Sequence, residues 1–258
     1  MDLQLTNRTV LVTGGSKGIG LACARAFLAE GAHVAIVSRD ARNLDQAQAK
    51  LSGKAVLIKA DLVEADQAQR MLSEAEHALG PIDILVNSAG AAKRTLPDEL
   101  TTAAWHAAMD AKYFTYIHAM HAVLAGMKAR RRGAIVNIIG AGGKVATPYH
   151  LPGGAANSAL MLASIGMANA FGRYGVRING INPGATRTDR VNEAILLEAK
   201  STGVSAEKAL EDGQARVPLG RYADPDDVAA VALFLASERA GYVTGAIVPM
   251  DGGLNPVL

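Results

Sequence analysis

The sequence predicts an α/β fold: one doubly wound, mostly parallel seven-stranded sheet with helices on both faces. Three observations carry this expectation. The chain opens on an apolar run, a glycine-rich turn, a helical stretch and a second apolar run. Strand-like and helical stretches then alternate to the end, as a parallel sheet with crossover helices requires. No linker, repeat or shift of composition interrupts them, so one domain over residues 1–258 is expected.

The first unit sets the pattern. Arg8-Thr-Val-Leu-Val12 is short, apolar and β-branched, as a buried strand is. Thr13-Gly14-Gly15-Ser16-Lys17-Gly18-Ile19-Gly20 follows it. Next comes a helix in which Ile19, Cys23, Ala26 and Phe27 recur at helical spacing, and Gly31 offers its end. His33-Val-Ala-Ile-Val37 reads as the second strand. Glycines between a strand and a helix let the backbone approach an anion, and the helix N-terminus aims free N–H groups at a pyrophosphate. Inside a complete βαβ unit that pattern points to a dinucleotide site of Rossmann type. Further strands are expected at 55–59, 82–86, 134–138, 177–181 and 246–248, and helices near 40–51, 64–79, 101–130, 154–172 and 225–237.

Composition bounds the partners. Half of the 258 residues are hydrophobic and Ala and Gly are abundant, which suits close helix-on-sheet packing and excludes a disordered chain. A net charge of +2 gives no reason to expect nucleic acid or a membrane surface. The single cysteine, Cys23, falls on the inner face of the first helix, so a small buried hydrophobe in a reducing cytoplasm is expected. No apolar run is long enough to span a membrane, and Met-Asp-Leu-Gln does not read as a signal peptide.

The spacing Gly14-x-x-x-Gly18-x-Gly20 after Thr13 resembles the short-chain dehydrogenase/reductase family, and motifs along the whole chain extend the resemblance. Ala60-Asp61-Leu62 is similar to the family's acid-plus-apolar pair, which implies that Asp61 and Leu62 hold an adenine ring. Asn87-Ser88-Ala89-Gly90 is similar to its Asn-Asn-Ala-Gly motif, placing Asn87, Ala89 and Gly90 beside the cofactor ribose. Asn182-Pro183-Gly184-Ala185-Thr186-Arg187-Thr188 resembles Asn-Pro-Gly-x-x-x-Thr, so Pro183, Gly184, Thr186 and Thr188 are expected at the nicotinamide amide. The glycine loop supplies Gly14, Ser16, Lys17, Gly18, Ile19 and Gly20. Ser38 and Arg39 end the second strand where the adenosine ribose belongs. With Lys17 they offer two cations and no acid, which favours NADP(H) over NAD(H).

Active family members carry Asn, Ser, Tyr and a Lys four residues after the Tyr. Aligned on their neighbours, Lys112 stands at the asparagine, Gly140 at the serine, Gly153 at the tyrosine and Asn157 at the lysine. The resemblance therefore implies an atypical member without the usual catalytic side chains. Asn157 keeps the position of the ribose-holding lysine.

Three replacements are candidates. His150 lies three residues before the vacant tyrosine position, and an imidazole suits acid–base work near neutral pH. Tyr149 is its neighbour, and Lys112 could extend into the space left at Asn157. The leading expectation is an NADP(H)-dependent oxidoreductase acting on a carbonyl, alcohol or conjugated double bond. The competing ones are a catalytically silent NADP(H)-binding protein and a non-redox elimination or hydration using His150.

Residues 189–217 occupy the family's substrate lid, and their Val191, Ala194, Ile195, Leu196 and Leu197 suggest a partly apolar ligand. Lys93, Arg94 and Lys144 could stand at the pocket mouth and suit an anionic group on a small-molecule substrate. The run Lys128–Arg132 reads as a helix end, His118 and His121 as structural rather than metal ligands, and Trp105 as a core anchor. No metal site is expected. The apolar circumference of the helix around 154–172, with the family's habit of two-fold packing there, predicts a homo-oligomer, tetramer or dimer.

Overall fold

The computed structural model describes residues 2–90 and 92–255. Seven parallel strands form one sheet in the order β3-β2-β1-β4-β5-β6-β7, the doubly wound arrangement expected. The strands are β1 (Thr9–Thr13), β2 (His33–Ser38), β3 (Val56–Lys59), β4 (Ile84–Asn87), β5 (Gly133–Ile138), β6 (Val176–Pro183) and β7 (Ile247–Met250). Each lies within two or three residues of its expected range. Strand order reverses between β1 and β4, so a crevice opens at their C-terminal ends, where open α/β sheets bind ligands.

Helices α1 (Gly18–Ala29), α2 (Ala41–Gln48) and α9 (Pro225–Ala236) cover one side with a core of Val10, Val12, Phe27, Ile36, Val86 and Leu235. Helices α3 (Ala65–Leu79), α5 (Thr115–Arg130) and α6 (Leu151–Gly172) cover the other, over Leu11, Val37, Leu85, Tyr116, Met120 and Ile135. The two cores follow directly from strand alternation: Leu11 faces one side while Val10 and Val12 face the other. Cys23 is fully buried and its thiol is pushed up to about 12, mainly by burial, as an inert packing residue requires.

Three expectations need correction or refinement. The stretch near 101–130 is not one helix: α4 (Thr102–Ala108) joins α5 through a widened π turn, Met109–Phe114. Trp105 is not a core anchor but 38% exposed, because α4 is short and turns that face outward. Residues 189–217 form two helices, α7 (Asp189–Thr202) and α8 (Ala206–Ala215), packed on each other around Ile195, Ala199, Ala209, Val217 and Tyr222.

The basic run after α5 serves the helix end. Arg130 donates to the Ile82 carbonyl at 2.7 Å, Arg132 pairs with Glu238 at 3.0 Å, and Arg131 adopts the left-handed cap. His118 donates or accepts at the Leu62 carbonyl, 3.0 Å away, and no cluster of three metal-ligating side chains occurs among the described residues. No helix among them is long and apolar enough to cross a membrane.

Arg177 on β6 closes the far end of α9, donating to the carbonyls of Leu235 (2.6 Å), Ala236 (3.1 Å) and Ser237 (2.9 Å). Those are carbonyls that a helix end leaves without partners. Arg177→Met should therefore destabilise the fold by about 1–3 kcal/mol, read as a lower denaturant midpoint. An unchanged midpoint would show that water satisfies these groups as well.

Candidate functional site

The glycine loop joins β1 to α1 at the crevice. Gly14 has φ of +65°, and a Cβ there would come within 2.7 Å of the Ser88 carbonyl and 2.8 Å of Ala89 Cα. Glycine at this position thus lets the β1 and β4 turns touch. Thr13 locks the contact: its hydroxyl donates to Asn87 Oδ1 at 3.1 Å and accepts from the Ser88 and Ala89 N–H groups at 3.3 Å. Asn87 donates onward to Asn137 (2.9 Å), and Asn137 to Ser164 (2.9 Å), so one buried polar ladder crosses β1, β4, β5 and α6.

A cleft of about 180 Å³ lies above this ladder, lined by Gly14, Ser38, Arg39, Asp61, Leu62, Ala89 and Gly90 among others. Ser16, Lys17, Gly18, Ile19 and Gly20 carry the chain into α1 beside it, with Lys17 as the exposed N-cap. Asp61 takes the Val63 N–H at 3.2 Å, and Leu62 is buried. Asp40, the nearest acid to Arg39 in sequence, is turned to cap α2 through the Arg42 N–H at 2.8 Å. From the other half of the sheet, Pro183, Gly184 and Thr186 descend from β6 to Thr188. A Cβ on Gly18 would lie 3.2 Å from the Thr188 methyl, so the turns after β1 and β6 meet across the crevice. The cradle fits the adenosine and pyrophosphate of a dinucleotide: an open helix N-terminus, small residues, and two cations without ion-pair partners among the described residues.

Gly140, Gly142, Gly153 and Asn157 come together around the His150 ring. The His150 ring occupies the space that any side chain at Gly153 would need: a Cβ there would collide with Cε1 and Nε2 and lie 2.7 Å from Nδ1. A Cβ on Gly142 would meet His150 Cδ2 at 3.3 Å. Two glycines therefore make room for one imidazole. Gly140 has φ of +134°, which strains any L side chain, and its vacant Cβ direction is filled by Asn157 Nδ2 at 3.0 Å. Among the described residues, His150 Nδ1 and Asn157 Oδ1 are the buried side-chain nitrogen and oxygen atoms without a hydrogen-bond partner. Such groups are costly to leave unmet.

Electrostatics sharpen the picture. Burial first, then the charges of Arg94, Arg190 and Lys112, push His150 down to about 4, so the ring is neutral at pH 7. Lys112 is held well below the usual lysine value by burial and by Arg190. Its Nζ donates to Tyr116 Oη at 2.7 Å and to the Ile138 carbonyl at 2.9 Å, while Tyr116 itself donates to Ile138 at 2.5 Å. Lys112 therefore does not extend to Asn157, whose Oδ1 stays unpartnered. Tyr149 is half-buried and its carbonyl accepts the Thr95 N–H at 3.2 Å.

Residues 14–255 match the family model described as Enoyl-(Acyl carrier protein) reductase. The chain is 34% identical over 260 residues to 2-(S)-hydroxypropyl-CoM dehydrogenase 3 of Xanthobacter autotrophicus, with 100% of both chains covered. It belongs to the short-chain dehydrogenase/reductase family. It is also 33% identical over 235 residues to Inactive 2-(S)-hydroxypropyl-CoM dehydrogenase 2 of the same organism, covering 91% of this chain and 100% of that one. Among solved structures, L-sorbose reductase from Gluconobacter frateurii, complexed with NADPH and L-sorbose, superposes with a TM-score of 0.91 at 27% identity, with 100% of each chain covered.

Within this short-chain dehydrogenase/reductase chain, several site residues escaped the motif reading. Ala111, Thr115 and Val63 line the cleft, and Arg190 at the start of α7 reaches the loop after β4. Tyr116, four residues after Lys112, carried the one available signal: helical spacing from a buried amine that needs a partner.

Two outcomes follow from this geometry. Gly153→Ala should destabilise by about 1–3 kcal/mol through its clash with the imidazole, and adding His150→Gly should recover most of the loss. Additive effects in that cycle would show that the ring does not fill this space. For Lys112, the folded protein binds its proton less well than the unfolded chain does. Stability should therefore rise with pH from the depressed folded value up to the ordinary lysine range, and fall as pH drops back through that window. Denaturant unfolding at pH 7 and pH 9 should show a steeper rise for the parent than for Lys112→Met; equal slopes would mean an unperturbed amine.

Proposed function

We propose that this chain is an atypical NADP(H)-dependent oxidoreductase of the short-chain dehydrogenase/reductase family, with His150 acting where the family's tyrosine is absent. One observation carries the reading: the His150 imidazole fills the volume that a side chain at Gly153 would take. Glycine at 153 is then the other half of a relocation, not merely a loss.

The cofactor is NADP(H), preferred over NAD(H). Exposed Lys17 and Arg39 stand at the adenosine end with no acid turned toward them, which suits a 2′-phosphate. The NADPH complex of the structurally similar sorbose reductase supports the same choice. When bound, the nicotinamide supplies or takes the hydride. Gly14, Gly18 and the α1 N-terminus hold the pyrophosphate; Asp61 and Leu62 flank the adenine. Asn157 Oδ1 accepts a ribose hydroxyl, which gives that orphaned acceptor a partner.

His150 works at the substrate oxygen. Being neutral at pH 7, it takes the alcohol proton as hydride leaves the carbon in oxidation; in reduction the ring, protonated from solvent, returns that proton to the substrate oxygen as hydride arrives. Lys112, anchored between Tyr116 and Ile138, positions the end of β5 beneath this group. Tyr149, adjacent on the same turn, is the alternative donor. The substrate is a small carbonyl or alcohol compound or a conjugated enone, and the protein acts as a single-domain cytoplasmic homo-oligomer. Exposed Leu162 and Ile165 on α6 and Phe114 beside α5 supply apolar faces for such assembly.

A second reading has its own support. The strong depression of His150 and the absence of a hydroxyl at Gly140 weaken acid catalysis, and one similar relative carries the name Inactive. A silent NADP(H)-binding protein would keep the cofactor cleft and lose the chemistry.

Oxidation of NADPH by a panel of small ketones, quinones and enones, followed in single turnover, decides between them. The parent should transfer hydride with NADPH in preference to NADH. His150→Ala should slow transfer by roughly 10²-fold or more with NADPH affinity nearly intact. Transfer unaffected by His150→Ala would remove its role and make Tyr149→Phe the deciding variant. NADPH binding with no transfer to any acceptor would establish the silent reading.

A further inference from the structure

The lid and the loop after β4 bring two arginines to His150. Arg190, second residue of α7, reaches across the crevice and donates to the Ala92 carbonyl at 3.4 Å. The same loop is tied to the Pro148–His150 turn by the Thr95 N–H on the Tyr149 carbonyl at 3.2 Å. Arg94 lies between these two ties. Neither arginine has an ion-pair partner among the described residues. The acids that act on Arg94 are Glu193 and Glu198, both on α7; Glu198 is engaged by Arg216 at 2.7 Å, and Glu193 is exposed.

We propose that Arg94 and Arg190 form an oxyanion subsite beside His150, which takes a carboxylate, sulfonate or phosphate carried by the substrate. The proposal rests on the redox reading of this site and adds the class of molecule that enters it. Guanidinium groups bind such anions through paired N–H donors, and the loose Arg190–Ala92 contact leaves the other donors of that group uncommitted.

The arrangement also has a reason in the site's own electrostatics. Arg94 on the loop, Arg190 on α7 and Lys112 in the π turn all oppose protonation of His150, and both arginines are exposed to an incoming ligand. Two guanidinium charges beside one imidazole, over a lysine that burial drives toward neutrality, favour an anion between them. An anion on the two arginines offsets the largest charge contributions and raises the proton affinity of His150, burial remaining the first cause of its depression. Arg190 sits on the lid, so the same anion would draw α7 toward the loop after β4.

The test measures binding, independently of turnover. The full-length protein, saturated with NADP+, is titrated calorimetrically with 4-oxopentanoate, 2-oxopropanesulfonate and hydroxyacetone phosphate, with 2-pentanone as the neutral ketone. At least one anion should bind about tenfold or more tightly than 2-pentanone, and Arg94→Gln with Arg190→Gln should abolish that preference while NADP+ affinity stays unchanged. Arg94→Lys with Arg190→Lys should keep part of it. Should no anion outbind 2-pentanone, or should the preference survive the paired Gln substitutions, the subsite is overturned. Anion binding without hydride transfer would overturn the oxidoreductase reading alone, whereas hydride transfer to neutral ketones without any anion preference would overturn the subsite alone.

Discussion

The buried ladder Thr13–Asn87–Asn137–Ser164 is the constraint on which the functional end of this molecule depends. Polar side chains in the middle of an apolar sheet are tolerated only when their donors and acceptors are matched. Here each amide and hydroxyl hands its hydrogen bond to the next, from β1 to β4 to β5 and on to α6. That chain of bonds fixes the relative heights of three strand ends and one helix. The glycine loop, the Asn87 turn and the α6 N-terminus are all referenced to it. A shift of one strand would strand an amide in the core, so the cleft inherits its geometry from the cost of leaving such a group unpaired.

Against that rigid floor, the active-site side shows a steric exchange. Gly153 and Gly142 have no side chains, and the space they leave holds the His150 ring. Gly140 and Asn157 show the same reciprocity, an amide nitrogen lying where a Cβ would point. Losses of function usually leave cavities or fill them with apolar groups. These spaces are instead filled by polar groups whose outer atoms have no protein partner, Nδ1 of His150 and Oδ1 of Asn157.

Most of the fold was legible in the sequence because a buried parallel strand announces itself: five or six apolar residues between turn signals can do little else. The cofactor turns were legible through glycine spacing, since close backbone approach admits no other residue. Other features depended on tertiary geometry. Trp105 is large and apolar, yet α4 is too short and too peripheral to bury it. The π turn at Met109–Phe114 leaves no compositional mark, so the contact of Lys112 with Tyr116 and Ile138 could not be separated from an inward reach to Asn157. The family resemblance marked His150, three residues before Gly153, as a candidate. That its ring lies in the volume of the missing side chain needed coordinates, because a three-residue interval across a turn does not specify direction. Arg190 carried no signal at all, being one charge among many on a lid helix.

The electrostatics bind these parts into one argument about how such a site can work. An imidazole buried near three cations is a poor acid by itself, and its depressed proton affinity is the physical basis of the silent reading. Yet the charges responsible are not distributed around it at random. Lys112 is fixed from below by Tyr116 and the Ile138 carbonyl, while Arg94 and Arg190 come from a loop and a lid that meet over the site. The fixed cation is itself driven toward neutrality by burial, so the positive field at His150 comes mainly from the two groups able to change partners. On the proposed reading, an imidazole kept neutral first by burial and then by two guanidinium groups responds to an anion in a way that a tyrosine would not. Proton affinity then depends on what is bound, and catalytic competence becomes a property of the complex, with the free protein poised in the unprotonated form.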